Sequence, residues 1–141
     1  MSMAGARLGF AMASAGLISD LEKIKYSTNP YAVNRITLAA GEAAIDDIDY
    51  YRENCRKIIK TRDATAQKLK EMGFEMTDSK ANFLFVKTDR MSGKLIFERL
   101  REKGILVRRF DEPRISDYLR ITVGTPEEMD ALADALKDIL A

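Results

Sequence analysis

The clearest hydrophobic pattern in the chain is a helical one between residues 48 and 69. Apolar side chains recur there every three or four positions, which predicts a long amphipathic helix. The predicted apolar face consists of Ile48, Tyr51, Cys55, Ile58, Ile59, Ala66 and Leu69. Asp46 and Asp47 are candidate N-caps, and Gly73 is a candidate stop beyond the helix. We expect Cys55 to lie in the core, because it falls on the apolar face.

Short apolar runs with strand character follow this helix. Phe74–Thr77 and Asn82–Lys87 come first, and Ile105–Phe110 and Tyr118–Val123 come later. Ser92 is a candidate N-cap for a helix between the second and third runs. The predicted buried face of that helix is Leu95, Ile96 and Leu100.

The last helix has the strongest start signal. Thr125-Pro126-Glu127-Glu128 combines a capping threonine, a proline at the first helical position and an acid three residues after the cap. The predicted buried residues are Met129, Leu132, Leu136 and Ile139. The elements from residue 46 to 141 therefore predict an α/β domain of the α+β type. It would be a four-stranded, mainly antiparallel sheet with helices on one face.

Residues 1–45 have a different character. They are rich in Ala, Gly and Ser, and the pattern predicts a short buried strand at Leu8–Ala13, a helix from Ser14 to Lys25, and a second helix from Tyr31 to Ala44. A turn is expected at Asn29-Pro30. These pieces do not complete a domain by themselves. We interpret them as part of a second, larger domain, with apolar surface that needs other chain segments to cover it.

Composition removes several functional classes. The 141 residues contain no His, so a His-based catalytic pair or imidazole metal site is not expected. A single Cys fits a reducing compartment such as the cytoplasm. The formal charge of +1 gives no reason to expect a nucleic-acid partner. No apolar run is long enough to predict a membrane span.

Four arginines near the C-terminal end are candidates for anion binding. They are Arg108, Arg109, Arg114 and Arg120. Arg120 alternates with Leu119 and Ile121 in a strand pattern, so it points to the opposite face from those two residues. A guanidinium there suits a carboxylate or phosphate. The alternative, which the pattern alone favours, is an exposed strand arginine paired with a surface acid.

Other polar positions carry weaker signals. Arg7 stands among small residues in Ala4-Gly5-Ala6-Arg7-Leu8-Gly9, which suits an anion but equally a tight turn. Asn82 opens a strand, where a turn role is favoured over a ligand role. No lysine stands in a clearly apolar run that would lower its pKa toward Schiff-base chemistry. The chain thus contains candidate anion-binding arginines and no evident nucleophile.

Five segments in this order resemble the C-terminal part of the histidinol-phosphate aminotransferase family, which has the fold-type-I pyridoxal-phosphate architecture. They are AGARLGFAMA (4–13), NPYAVNRITLAA (29–40), ANFLFV (81–86), GILVRRF (104–110) and YLRITVGTPEEMDAL (118–132). The combination of VR with YLRITVGTPEE is the most specific part. The resemblance covers nearly the whole chain.

The resemblance implies roles for five residues. Arg7 matches the arginine that holds the cofactor phosphate. Arg120 matches the arginine that pairs with the substrate carboxylate or phosphate, and Arg108 matches the second phosphate-recognising arginine. Tyr31 and Asn34 match a segment near the active site and dimer region. The family's Schiff-base lysine stands eight residues before the Arg7 position, so we expect it before Met1 and expect no catalytic residue within the chain.

The resemblance also implies chemistry for the full-length parent. The parent would use pyridoxal phosphate to exchange an amino group between L-glutamate and imidazole-acetol phosphate in histidine biosynthesis. We expect this fragment to bind no cofactor and to be inactive alone. Its expected partners are the parent's small-molecule substrates (histidinol phosphate and glutamate or 2-oxoglutarate) and a second copy, as a homodimer or swapped oligomer. No membrane partner is expected.

Three alternatives stay open at this point. The first is another class I or II aminotransferase, and the second is a threonine-phosphate decarboxylase; both share these arginines. The third is a stand-alone small-molecule-binding α+β domain without catalysis. Residues 1–45 argue against the third, since a dedicated sensor has no reason to retain AGARLGF.

Overall fold

The computed structural model describes residues 3–141, and the chain divides into two compact units. The first unit ends at Glu53, and the second runs from Asn54 to Ala141. All strands of the described residues belong to the second unit.

The first unit is helical. Helix α1 spans Ala15–Thr28, α2 spans Arg35–Asp46, and α3 (Ile48–Glu71) begins here. The strand predicted at Leu8–Ala13 is wrong: these residues form neither helix nor strand, because no described part of this unit offers a strand edge for them to pair with. None of the residues of α1 is buried within the described chain.

The predicted caps at Asp46 and Asp47 need correction. Asp46 is the last residue of α2, and Asp47 is the C-cap of α2, with its backbone N–H donating to the carbonyl of Ala43. The Asp47 carbonyl in turn accepts from the Tyr51 N–H at the start of α3. One residue therefore joins the two helices.

The second unit is built on one antiparallel sheet. Its strands are β1 (Glu75–Met76), β2 (Phe83–Lys87), β3 (Arg108–Arg109) and β4 (Leu119–Thr122). The order across the sheet is β1-β2-β4-β3, and every neighbouring pair is antiparallel. Helices α4 (Gly93–Glu102) and α5 (Pro126–Leu140) complete the unit. The predicted α+β fold class is confirmed, although all four strands are shorter than the apolar runs that predicted them.

The core lies on one face of this sheet. Leu84 and Val86 of β2 and Leu119 and Ile121 of β4 are buried in one cluster with helix residues. The helix residues include Leu69, Ile96, Leu100, Leu132, Leu136 and Ile139. Since side chains alternate along a strand, the residues between these four face away from the helices.

Some predicted core positions are more exposed than the pattern suggested. Leu95 is 38% and Ile59 is 45% exposed, and Cys55 is half-buried. Arg62 and Thr65 are buried in α3 instead. Both polar groups are satisfied locally: Arg62 pairs with Asp63 and donates to the Ala81 carbonyl, and Thr65 donates to the Thr61 carbonyl. Burial there follows from hydrogen-bond partners, which hydrophobic periodicity does not report.

Candidate anion-binding site

The face of the sheet away from the helices carries the candidate site. Arg120 lies at the Cα register position opposite Phe85 on one side and opposite Arg108 on the other. Side chains directly opposite each other in antiparallel strands share a face, with Cβ atoms about 4.5–5.5 Å apart. Arg108 and Arg120 therefore form a cross-strand pair on this open face, which we call the arginine pair.

Arg120 is half-buried and rests on an aromatic ring. Its guanidinium carbon lies 5.5 Å from the ring centroid of Phe83. Its Nε is buried and has no hydrogen-bond partner. No ion pair joins Arg120 to a carboxylate in the part of the chain that the structure describes. The alternative of a surface arginine paired with an acid is therefore wrong.

Arg108 has the same kind of support. It is exposed, and its guanidinium carbon lies 5.0 Å from the ring centroid of Phe110. Phe110 meets Phe85 edge to face, with centroids 6.3 Å apart. Phe85 stacks on Tyr118, with centroids 4.6 Å apart. The arginine pair thus stands beside a connected group of aromatic rings on the open face.

Arg109 has a structural role that differs from that of Arg108. It lies opposite Leu119, so it points to the helix-covered face, where its Nε donates to the Ser116 carbonyl at 2.8 Å. It also pairs with Asp111. These contacts tie the β3–β4 connection together. The register therefore separates Arg108 from Arg109, which sequence reasoning could do only by resemblance.

The charges of the arginine pair are not neutralised by the described residues. Two like charges directly opposite each other in a sheet destabilise the fold slightly. A ligand that supplies two or more anionic oxygens removes this repulsion and accepts bidentate hydrogen bonds. Next to the aromatic group is an open hollow of about 530 Å³ whose lining includes Phe85, Tyr118 and Ile115. The hollow offers space for the organic part of such a ligand.

Arg7 lies in the first unit, on a tight turn. The Arg7 N–H donates to the Ala4 carbonyl at 3.0 Å, and the Leu8 N–H donates to the Met3 carbonyl at 3.2 Å. Arg7 has φ of 59°, in the left-handed region that costs an L-residue about 1–2 kcal/mol. Its side chain is exposed. Leu8 anchors the turn against Gly41 of α2, where a Cβ would fall 2.3 Å from the Leu8 methyl carbon.

Asn34 and Tyr31 also lie in the first unit. Asn34 is the N-cap of α2, and its side-chain oxygen accepts from the Thr37 N–H at 2.9 Å. Tyr31 is 91% exposed. Neither position has a further feature that marks a ligand contact. In the second unit, the Asn82 carbonyl accepts from the Val123 N–H at 2.9 Å, which extends the β2–β4 ladder.

Lys87 is on the open-face side of β2, two residues beyond Phe85. It pairs with its cross-strand neighbour Glu75 at 3.1 Å. The hydrogen bond to Glu75, and then the charges of Glu75 and Asp89, raise the pKa of Lys87. A raised pKa is the wrong direction for a nucleophilic amine at neutral pH.

The described residues contain no cluster of three or more metal-ligating side chains. No helix among them is long and apolar enough to span a membrane.

Comparisons with known proteins identify the family of the chain. The histidinol-phosphate aminotransferase of Chromohalobacter salexigens is 49% identical over 98% of this chain, which spans 39% of that relative's length. The crystal structure of the histidinol-phosphate aminotransferase from Sinorhizobium meliloti in complex with pyridoxal-5'-phosphate is 30% identical, with a TM-score of 0.82. The match covers 98% of this chain and 38% of the solved chain.

A solved decarboxylase from Sulfurospirillum multivorans is also similar, at 27% identity and a TM-score of 0.82. That match covers 99% of this chain and 41% of the decarboxylase. The chain therefore spans about two fifths of the length of the proteins it resembles. The family model for aminotransferase class I and II matches residues 1–136. The chain belongs to the class I and II aminotransferase family.

Proposed function

We propose that this chain supplies the substrate-anion site of a pyridoxal-phosphate-dependent aminotransferase that acts on histidinol phosphate. The observation that carries the proposal is the cross-strand arginine pair, Arg108 opposite Arg120, without an acidic partner in the described residues. The identity of 49% to a histidinol-phosphate aminotransferase supports the choice of substrate.

In this proposal, both arginines bind the anionic group of the substrate. Histidinol phosphate offers a phosphate, and glutamate or 2-oxoglutarate offers carboxylates. A guanidinium fork binds either group through two parallel hydrogen bonds. One arginine pair can therefore hold both substrates of an amino-group exchange in turn, and binding there orients the reacting end.

Arg7 is the proposed contact for the cofactor phosphate. The Arg7 side chain is exposed, which leaves its guanidinium accessible to an anion. Pyridoxal phosphate, when bound, supplies the electron sink for the reaction. The role of this chain is to bind and orient. The raised pKa of the open-face Lys87 does not favour a nucleophilic role for that lysine. We propose that the 141 residues alone do not transaminate.

The proposed assembly follows from residues 1–45. We propose that they belong to a larger cofactor-binding domain and that residues 46–141 form the small domain. Tyr31 and Asn34 would then lie near the active site and the dimer interface, and the parent would work as a cytoplasmic homodimer. The large apolar side chains that residues 8–45 expose support this assignment.

The similar decarboxylase structure supports a decarboxylase as the second candidate. The resemblance of the sequence suggests threonine phosphate as its substrate. Both candidates need an arginine site for a phosphate monoester. They differ in the organic part of the substrate, which would lie toward the hollow beside Phe85 and Tyr118.

Isothermal titration calorimetry of the 141-residue chain tests the proposal. L-histidinol phosphate should bind, and L-histidinol, which lacks the phosphate, should not. O-phospho-L-threonine should bind more weakly than histidinol phosphate; the reverse order would favour the decarboxylase. Equal binding of histidinol and histidinol phosphate would overturn the proposed site. Saturable binding of an uncharged metabolite would favour a stand-alone binding domain.

A further inference from the structure

Phe83 has an unusual environment for a phenylalanine in a central strand. It lies on the open face of β2, opposite Thr122 of β4, and is half-buried. Within the described residues, it is not part of the hydrophobic core cluster or of the side chains packed against it. The Phe83 ring therefore contributes little to the packing of the hydrophobic core.

The contact that Phe83 does make is with Arg120. The guanidinium carbon lies 5.5 Å from the ring centroid, inside the distance at which a cation is attracted to an aromatic face. The same side chain has a buried Nε without a hydrogen-bond partner. A buried donor without an acceptor destabilises this position of the Arg120 side chain. Another interaction must therefore offset that cost and keep the guanidinium against the sheet. The ring of Phe83 is the group placed to do so.

The geometry points to Phe83 as a positioning residue that orients the Arg120 guanidinium for the anionic substrate. This inference rests on the proposed function of the arginine pair. A flexible arginine loses conformational entropy when it binds a ligand, and an arginine already held on a ring loses less. Phe83 thereby raises the affinity of the site without touching the ligand. Phe110, one residue beyond β3, likewise has the guanidinium of Arg108 over its ring.

The test combines side-chain NMR with anion binding to the 141-residue chain. The Nε–Hε resonance of Arg120 is assigned by its loss in Arg120→Lys. In the wild type we expect a rigid Nε, measured by the heteronuclear NOE, and slow solvent exchange of Hε. In Phe83→Leu we expect a mobile Nε, faster exchange and binding of inorganic phosphate weakened by a factor of about 3–10. Phe83→Tyr keeps the ring and should restore all three.

Phe97→Leu is the matched control, because it removes a ring that packs against the core from α4. It should lower the melting temperature and leave the Arg120 Nε and the phosphate affinity unchanged. Circular dichroism checks that each variant folds. If Phe83→Leu does not fold, Phe83→Met provides the same measurement with a longer apolar side chain.

The outcomes separate this inference from the proposed function. If Phe83→Leu leaves the Nε rigid and phosphate binding at the wild-type level, while Arg120→Lys abolishes binding, the positioning role is wrong and the anion site stands. If the wild type binds no phosphate, the proposed site is wrong. The rigidity of the Nε in Phe83→Leu then decides by itself whether Phe83 holds Arg120.

Discussion

Arg108 and Arg120 lie directly opposite each other on β3 and β4, with both side chains on the face of the sheet that the helices leave open. The register of two short strands creates this relationship. On β4, the helix-covered face carries Leu119 and Ile121, which are buried in the core. The core therefore determines where the guanidinium groups point, and the fold couples packing on one face to binding on the other.

Gly93 of α4 contacts Asp117, which lies just before the start of β4, the strand that carries Arg120. A Cβ on Gly93 would lie 2.4 Å from the Asp117 carbonyl oxygen, and the Gly93 N–H donates to the Asp117 carboxylate at 3.3 Å. We expect Gly93→Ala to destabilise the second unit by about 1–3 kcal/mol, since rigid backbone must move. Chemical denaturation measures the change.

Lys94→Ala is the control for that variant, because Lys94 is exposed in the same helical turn. It should leave the free energy of unfolding nearly unchanged. A Gly93→Ala protein as stable as Lys94→Ala would mean that the close approach of α4 to Asp117 is not present in solution.

Lys68 of α3 pairs with Asp130 of α5. The hydrogen bond from Lys68 to Asp130, followed by the charges of Asp130 and Asp134, raises the pKa of Lys68 above the 10.5 of an unperturbed lysine. Because the folded-state pKa is the higher one, any stabilisation is complete below pH 10.5 and fades as the pH rises through the folded-state value. NMR titration of the lysine side chain should show this pKa falling toward 10.5 in Asp130→Asn.

Lys87 provides the internal reference for that titration. Its pKa is raised by Glu75, on another element, so Asp130→Asn should leave it unchanged. A Lys68 pKa that does not respond to Asp130→Asn would exclude the α3–α5 ion pair.

The first unit exposes large apolar side chains, as the sequence predicted. Met12 is 87% and Ile36 is 84% exposed, and every residue of α1 is at least partly accessible. Patches of this kind favour association. We expect the chain to form concentration-dependent oligomers in size-exclusion chromatography with light scattering, and Ile36→Gln combined with Leu17→Gln to shift it toward monomer.

Leu106→Gln is the comparison variant for association, because Leu106 is 80% exposed in the second unit. It should leave the oligomer distribution as it is. A wild-type chain that stays monomeric at all concentrations would contradict the role assigned to the apolar surface of residues 8–45.

Helix α5 shows what the sequence could predict. Its Thr125 cap, its proline start and its buried Met129, Leu132, Leu136 and Ile139 are all confirmed, and Thr125 and Glu128 form a full capping box. The signals for this helix are local, so they can be seen in the order of residues. The alternation that placed Arg120 on the face opposite Leu119 and Ile121 is local in the same way.

The arginine pair itself could not be predicted from periodicity. Its geometry depends on the register of β3 against β4, which the connection between residues 110 and 118 decides through contacts such as Arg109 with Ser116. The buried Nε of Arg120 and its position over Phe83 depend on tertiary packing as well. The missing strand at Leu8–Ala13 has the same cause, since strand formation needs a partner that the described first unit lacks.

A double-mutant cycle on phosphate binding measures whether Arg108 and Arg120 act as one anion site. Arg108→Gln, Arg120→Gln, the double variant and the exposed Arg101→Gln control on α4 are compared by calorimetry. Each single change in the pair should weaken binding by about tenfold or more, because a hydrogen bond to a charged group is worth about 1.5–3 kcal/mol. The losses should not add in the double variant, since both groups hold one ligand, and Arg101→Gln should bind as the wild type does. Wild-type affinity in both single variants, or a loss in Arg101→Gln equal to theirs, would show that the arginine pair is not the anion site.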